Sequence, residues 1–125
     1  MDLNIILDTN VVLYFLAGRL REPLPQANIY ISVITEIELL SYPLLSVESE
    51  SEINDFLADV TIVDLSKHIK QTTINLRRQH RLKLPDAIIV ATAHYLNAKL
   101  LTNDIKLLNI PEVSISALPL KKEHE

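Results

Sequence analysis

The chain has 125 residues, 48% of them hydrophobic, no cysteine and a formal net charge of −4. That length and hydrophobic content suit one domain, and the missing cysteine excludes disulfides, thiolate metal sites and cysteine nucleophiles, leaving oxygen and imidazole as metal ligands. The negative charge is the wrong sign for a generally basic nucleic-acid surface, so any such binding needs a local patch.

Short apolar runs, many of them β-branched, stand at residues 4–7, 29–32, 61–63, 99–102 and 113–115 and stop at polar or turn residues, as buried strands do. Helical patterns lie between them at 11–16, 35–40, 53–57, 66–80 and 85–96. This alternation predicts an α/β fold, a sheet covered by helices on both faces. Residues 1–10 carry no basic leader and their apolar run ends at Asp8, so neither an export signal nor a membrane span is expected, and the chain reads as cytoplasmic. Pro23 and Pro25 mark the loop before the second strand, and Pro43 ends the second helix. Ser49 to Glu52 offers a capping box to the third helix, and Ser66 a cap to the fourth, where Ile69, Thr73, Leu76 and His80 share one stripe. The fifth helix is so rich in Ala, Ile and Val that it is expected at the centre, with Ala91 and Ala93 allowing close packing. Pro119 opens a charged tail, so the domain is expected over 1–118 and disorder over 119–125. Gly18 is the only glycine, which excludes a glycine-rich phosphate cradle and disfavours nucleotide cofactors.

Residues 67–83 carry Lys67, Lys70, Arg77, Arg78, Arg81 and Lys83 and no acid, which places half of the chain's Lys and Arg in one stretch. Two compatible uses are a solvated helix face that complements the helix dipole and a track for phosphates.

Ligands of an open parallel sheet bind beyond the carboxyl ends of its strands. Asp8 closes the first strand, and Asp104 follows the fourth in Leu101-Thr102-Asn103-Asp104. Glu38 is expected in the first turn of the helix after the second strand, and Asp86 opens the fifth helix behind Pro85. If the strands are parallel, four carboxylates share one rim. Each has an ordinary alternative: Thr35 to Glu38 matches a capping box, Asp86 suits a helix N-terminus, and Asp104 suits a turn. Asp8 is harder to explain that way, because desolvation at the edge of a core penalises its charge unless something positive compensates. Helical spacing aligns Thr35 with Glu38 and turns Glu36 elsewhere, which selects Glu38. Crowded carboxylates repel one another, a cost that a divalent cation reverses, and oxygen-only ligation selects Mg²⁺ or Mn²⁺ over structural zinc. His68, His80, His94 and His124 are scattered and suggest no His-ligated metal.

Four segments carry a family resemblance: Leu7-Asp8-Thr9-Asn10, Ser32-x-x-Thr35-x-x-Glu38-Leu39, Asp86-Ala87-Ile88-Ile89-Val90-Ala91-Thr92-Ala93 and Leu101-Thr102-Asn103-Asp104. In this order and spacing the chain resembles the PIN domains, and among them the small VapC-like toxins of bacterial toxin–antitoxin pairs, nearly end to end. The resemblance implies a five-stranded parallel sheet flanked by helices on both faces, a PIN-like α/β/α sandwich. It implies that Asp8, Glu38, Asp86 and Asp104 are catalytic and hold Mg²⁺ or Mn²⁺, with Thr9, Asn10 and Thr102 as supporting polar groups beside Thr35. The implied activity is endoribonuclease hydrolysis, with water attacking phosphorus in line to leave a 5′-phosphate and a 3′-hydroxyl. Arg77, Arg78, Arg81 and Lys83 are the candidate RNA contacts. A cognate antitoxin with a basic segment and a homodimer are also implied, and no membrane partner. Tyr14, Phe15, Leu39, Leu40 and Tyr42 are either an interface for such partners or ordinary core. The chain departs from the family at Asn97-Ala98, where a Gly often precedes the fourth strand, and at Leu107 and Leu108, where an aromatic often follows the last Asp.

Two rival readings stand beside this one. Asp8-Thr9-Asn10-Val11-Val12 loosely resembles the nucleophile loop of haloacid-dehalogenase-like phosphatases, although that loop has a second Asp where Asn10 stands. The other rival is a non-catalytic RNA- or protein-binding module whose carboxylates hold a structural ion.

Overall fold

The structure, a computed structural model, describes residues 3–122. Strands β1 (Asn4–Leu7), β2 (Asn28–Ser32), β3 (Thr61–Val63), β4 (Lys99–Leu101) and β5 (Ile115–Ser116) form one sheet in the order β3-β2-β1-β4-β5. Every neighbouring pair is parallel, as the resemblance implies. The helices are α1 (Thr9–Leu16), α2 (Val33–Leu40), α3 (Val47–Asp59), α4 (Lys67–His80) and α5 (Leu84–Leu96).

The strands are apolar on both faces because both are covered. Ile6, Tyr30 and Leu100 face the core beneath α4 and α5, whereas Ile5, Leu7, Ile31 and Leu101 face the opposite core with Val11 and Val12 of α1 and Ile53 and Phe56 of α3. Truncating a fully buried Ile or Leu in such a layer costs about 2–5 kcal/mol. Helix α5 is the central one: every residue from Ala87 to Ala93 is buried, and the small Ala91 and Ala93 let its backbone approach its neighbours. Pro85 stands in its first turn, where a missing N–H breaks no helical bond, and Asn97 ends it in the left-handed region at φ 50°. Asn tolerates that conformation, which explains how the chain manages without a glycine there.

Several boundaries differ from the sequence expectation, each for a local reason. Asp8 caps α1, so that helix starts at Thr9. Ser32 Oγ accepts from Ile34 N at 3.1 Å, so α2 starts at Val33 and Glu38 falls in its second turn, not its first. Ser46 Oγ accepts from Ser49 N at 3.0 Å, so α3 begins ahead of the expected Ser49 to Glu52 box. Leu100 N and Thr102 N bond to Ser114 O and Ser116 O, which moves β5 toward the carboxyl side of 113–115. Ser66 caps α4 as expected. The tail that composition suggests is loose is tied down in its described part: Leu20 and Leu120 form an antiparallel bridge, Arg21 N bonds Pro119 O, and Lys121 N bonds Arg19 O. Residues 123–125 lie outside the described residues. Among the described residues no helix is long and apolar enough to cross a membrane.

From β1 the chain builds outward to β2 and β3, then returns to lay β4 on the other side of β1. Connections diverge where that reversal occurs, which opens a crevice at the carboxyl ends of β1 and β4.

Candidate active site

Asp8 and Asp104 leave the sheet on the two sides of that crevice. Asp8 is almost fully buried, with Oδ1 accepting from Thr9 N at 2.8 Å and Oδ2 from Thr102 Oγ1 at 2.7 Å. Thr102, just past β4 and completely buried, also accepts from Asp104 N at 3.1 Å, so one hydroxyl ties both strand ends together. Asp104 Oδ1 accepts from Lys106 N at 3.0 Å, which fixes the turn that carries it.

Glu38 reaches the same rim from α2. Its Oε1 accepts from Thr9 Oγ1 at 2.7 Å, and Thr9 Oγ1 lies 3.0 Å from Thr35 Oγ1. A hydroxyl has one proton, so with Thr9 donating to Glu38, Thr35 donates to Thr9. The capping-box alternative for Thr35 and Glu38 is thereby excluded: the helix is capped by Ser32, and Glu38 is bound by a side chain. Asp86, half-buried in the first turn of α5, receives no hydrogen bond among the described residues. Asn10 is exposed on α1, and no side-chain bond joins it to this network among the described residues.

Burial pushes the Asp8 carboxyl above its ordinary 3.8, the Thr102 and Thr9 bonds pull it back, and repulsion from Asp104 and Glu38 adds to the rise. Asp86 is raised too, first by burial, then by Asp8, Asp104 and Glu38, with Lys83 opposing. The four sequence-predicted carboxylates therefore feel one another across one rim. Among the described residues no three His, Cys, Asp or Glu form a ready metal-ligating group. The donor set fits a hard divalent ion: it is all oxygen, and Asp86 has no donor to lose.

Beside Asp86 and Asp104 lies a cleft of about 270 Å³, whose wall includes His80, Arg81, Leu82, Lys83 and Lys106. Of the expected RNA contacts, Arg81 and Lys83 stand on this wall. Arg77 and Arg78 sit in the last turn of α4, outside the lining, and Arg77 Nε donates to Leu82 O at 3.2 Å. Lys106 escaped the sequence reading, whose only signal for it is its nearness to Asp104. A recess of about 550 Å³ at the opposite edge, near Asn4, Lys99 and Glu112, gathers no acids comparably. His80 pairs with Glu112 at 2.9 Å and His68 packs against Tyr95, so neither joins the carboxylates; His124 lies outside the described residues. Of the expected interface residues Leu39 is core, Tyr14 is half-buried, and Phe15, Leu40 and Tyr42 are exposed. Phe15 lines an apolar groove of about 380 Å³ with Leu16, Leu24 and Phe56, rimmed by Glu52, Asp55 and Asp59.

The family model of the PIN domain matches residues 5–113. A toxin–antitoxin complex from Klebsiella pneumoniae contains a chain 31% identical to this one, with a TM-score of 0.73 over 87% of this chain and 94% of that one. VapBC2 from Rickettsia felis, solved bound to a promoter DNA fragment, gives a TM-score of 0.79 at 23% identity over 94% and 100% of the two chains. DNA-bound VapBC from Salmonella typhimurium gives 0.79 at 20% identity over 92% and 98%. No curated protein matches the sequence.

Proposed function

Because the chain belongs to the PIN domain family, we propose that it is a metal-dependent endoribonuclease and the toxin of a toxin–antitoxin pair. The observation that carries the reading is the convergence of Asp8, Glu38, Asp86 and Asp104 at the crevice where the strand order reverses, close enough to raise the carboxyls of Asp8 and Asp86. These four would hold Mg²⁺ or Mn²⁺. When bound, the ion supplies positive charge that offsets both the mutual repulsion of the carboxylates and the charge of the phosphate oxygens.

The remaining work belongs to the chain. Thr102 and Thr9 N orient the Asp8 oxygens, and the Thr35-to-Thr9 relay orients Glu38. Both Asp8 oxygens accept hydrogen bonds, which suits an oriented ligand better than an attacking nucleophile and argues against the phosphatase rival. Asp86 has no protein donor, so one of its oxygens is available to take a proton from the attacking water. Water adds to phosphorus as the bond from phosphorus to O3′ breaks in line, Asp86 taking a proton from the water and the departing O3′ taking one from solvent, which leaves a 5′-phosphate and a 3′-hydroxyl. Arg81 and Lys83 flank the acids and supply the cationic groups that an otherwise repulsive pocket needs to hold RNA.

The likeness to a chain of a toxin–antitoxin complex supports an antitoxin partner. The Phe15 groove, apolar in its floor and acidic at its rim, suits an amphipathic helix with basic flanks. A homodimer and action in the cytoplasm complete the reading. It is tested by incubating RNA with the purified protein in Mn²⁺, Mg²⁺ or EDTA beside Asp8→Ala and Asp104→Ala. Metal-dependent fragments with 5′-phosphate ends, lost in both variants, are expected; fragments that persist in Asp8→Ala would overturn the mechanism.

A further inference from the structure

Arg81 ends α4 in the left-handed region, at φ 55° and ψ 36°. A β-carbon is unfavourable there, which is why glycine or asparagine usually fills such a position, as Asn97 does after α5. Arg has neither advantage, and it lines the cleft. The next residue, Leu82, is buried in the core, and its carbonyl is clamped by Arg77 Nε, so the short link between α4 and α5 is anchored between Arg81 and Lys83. On the other side of the cleft, the bond from Lys106 N to Asp104 Oδ1 fixes the Lys106 backbone. Among the described residues Arg81, Lys83 and Lys106 form no ion pair, although Asp86 and Asp104 line the same cleft. A cleft in which three cations without an ion pair stand beside two acids can take two neighbouring phosphates, one where the acids gather a cation and the next on the cations themselves.

We propose that Arg81, Lys83 and Lys106 form a phosphate-binding subsite that holds a backbone phosphate of single-stranded RNA next to the one cleaved, and that Arg77 is the positioning residue that locks this subsite in place. The proposal rests on the nuclease reading for the identity of its ligand. Arg81→Gly separates binding from folding, because glycine relieves the backbone strain while removing the charge. Arg81→Lys retains the charge, and Lys99→Gln removes one positive charge at the opposite edge of the sheet, which calibrates the effect of net charge alone.

The experiment measures three quantities on the full chain: the thermal midpoint, KM and kcat for Mn²⁺-dependent cleavage of a short single-stranded RNA, and the salt dependence of binding the same RNA in EDTA by fluorescence anisotropy. Arg81→Gly is expected to keep or raise the midpoint and to raise KM roughly tenfold with little change in kcat, with Arg81→Lys recovering much of the loss. One neutralised phosphate contributes about 0.7 to the slope of log affinity against log salt, so Arg81→Gly combined with Lys106→Gln should flatten it by up to about 0.7, and Lys99→Gln should not. Arg77→Ala should raise KM while Arg77→Lys restores little, because an ammonium cannot reproduce the Nε bond. An unchanged slope and KM in Arg81→Gly, or a fall in its midpoint, would overturn the subsite. If wild type binds RNA and the variants lose that binding, but no preparation cleaves it, the subsite stands and the nuclease reading falls.

Discussion

The Thr102 hydroxyl donates to Asp8 and accepts from the Asp104 backbone, so two catalytic candidates from strands far apart in sequence are oriented by one atom. Thr102→Val keeps the shape and removes both bonds. It should lower cleavage by about 10- to 100-fold, the usual effect of removing a group that orients a metal ligand. It should also cost about 1–3 kcal/mol in urea denaturation, since two buried polar groups lose a partner. A variant with full activity would remove the hydroxyl from the mechanism. Asp86 behaves differently because no donor would be left unsatisfied by its neutralisation. Asp86→Asn should abolish cleavage yet raise the ion-free thermal midpoint, measurable by scanning fluorimetry in EDTA. Asp8, Asp86 and Asp104 were legible as strand-end and helix-start residues, since their placement follows from the order of elements, whereas Glu38 was legible only as a residue of the helix after β2 and lies one turn further along it than expected. The Thr35-to-Thr9-to-Glu38 relay was not, because it joins side chains 26 and 29 positions apart whose rotamers no local pattern specifies. Lys106 was illegible for a similar reason: it looks like any exposed lysine until the turn at Asp104 brings it to the cleft.

At the level of elements, hydrophobic patterning specified the strands and helices, while their starting points depended on which of several serines caps. Ser32, at the end of β2, is a strand residue by pattern and a cap by geometry, and it carries Glu38 into the second turn of α2. Ser46 precedes Ser49 in a similar competition, and either offers a serine oxygen to an early N–H. Strand β5 is only two residues long, and its register is chosen by pairing with β4, not by any pattern of its own. The Ser32 cap is testable. Ser32→Ala leaves the N–H of Ile34 without its partner in a part-buried setting, so a loss of about 1–2 kcal/mol in urea denaturation is expected. Because Glu38 rides on that helix, cleavage should fall as well. A stability loss with wholly unchanged kcat and KM would mean that the start of α2 does not set the position of Glu38.

Across the whole molecule the site opposes the fold. Two carboxyls, Asp8 and Asp86, titrate above the 3.8 they have when unfolded, with burial the leading cause in both. Between 3.8 and the raised values the folded chain binds more protons than the unfolded chain, so stability falls as pH rises through that window and the deficit is constant above it. The sign is opposite to that of a carboxylate stabilised by a salt bridge. Divalent cation is expected to reverse it, since ligation would favour the ionised carboxylates of the folded state and add RT ln(1 + [L]/Kd), about 2.7 kcal/mol at a hundredfold excess over Kd. Urea denaturation of wild type and Asp86→Asn across mildly acidic to neutral pH isolates Asp86 together with its coupling to Asp8, Asp104 and Glu38, because groups outside that rim contribute alike to both. In EDTA the stability advantage of Asp86→Asn should grow as pH rises through the raised Asp86 value and then level off. With saturating Mg²⁺ or Mn²⁺ the order should invert, wild type becoming the more stable. A difference that stays flat with pH, or an inversion that never comes with the ion, would mean that Asp86 neither carries the strain of the site nor holds the metal.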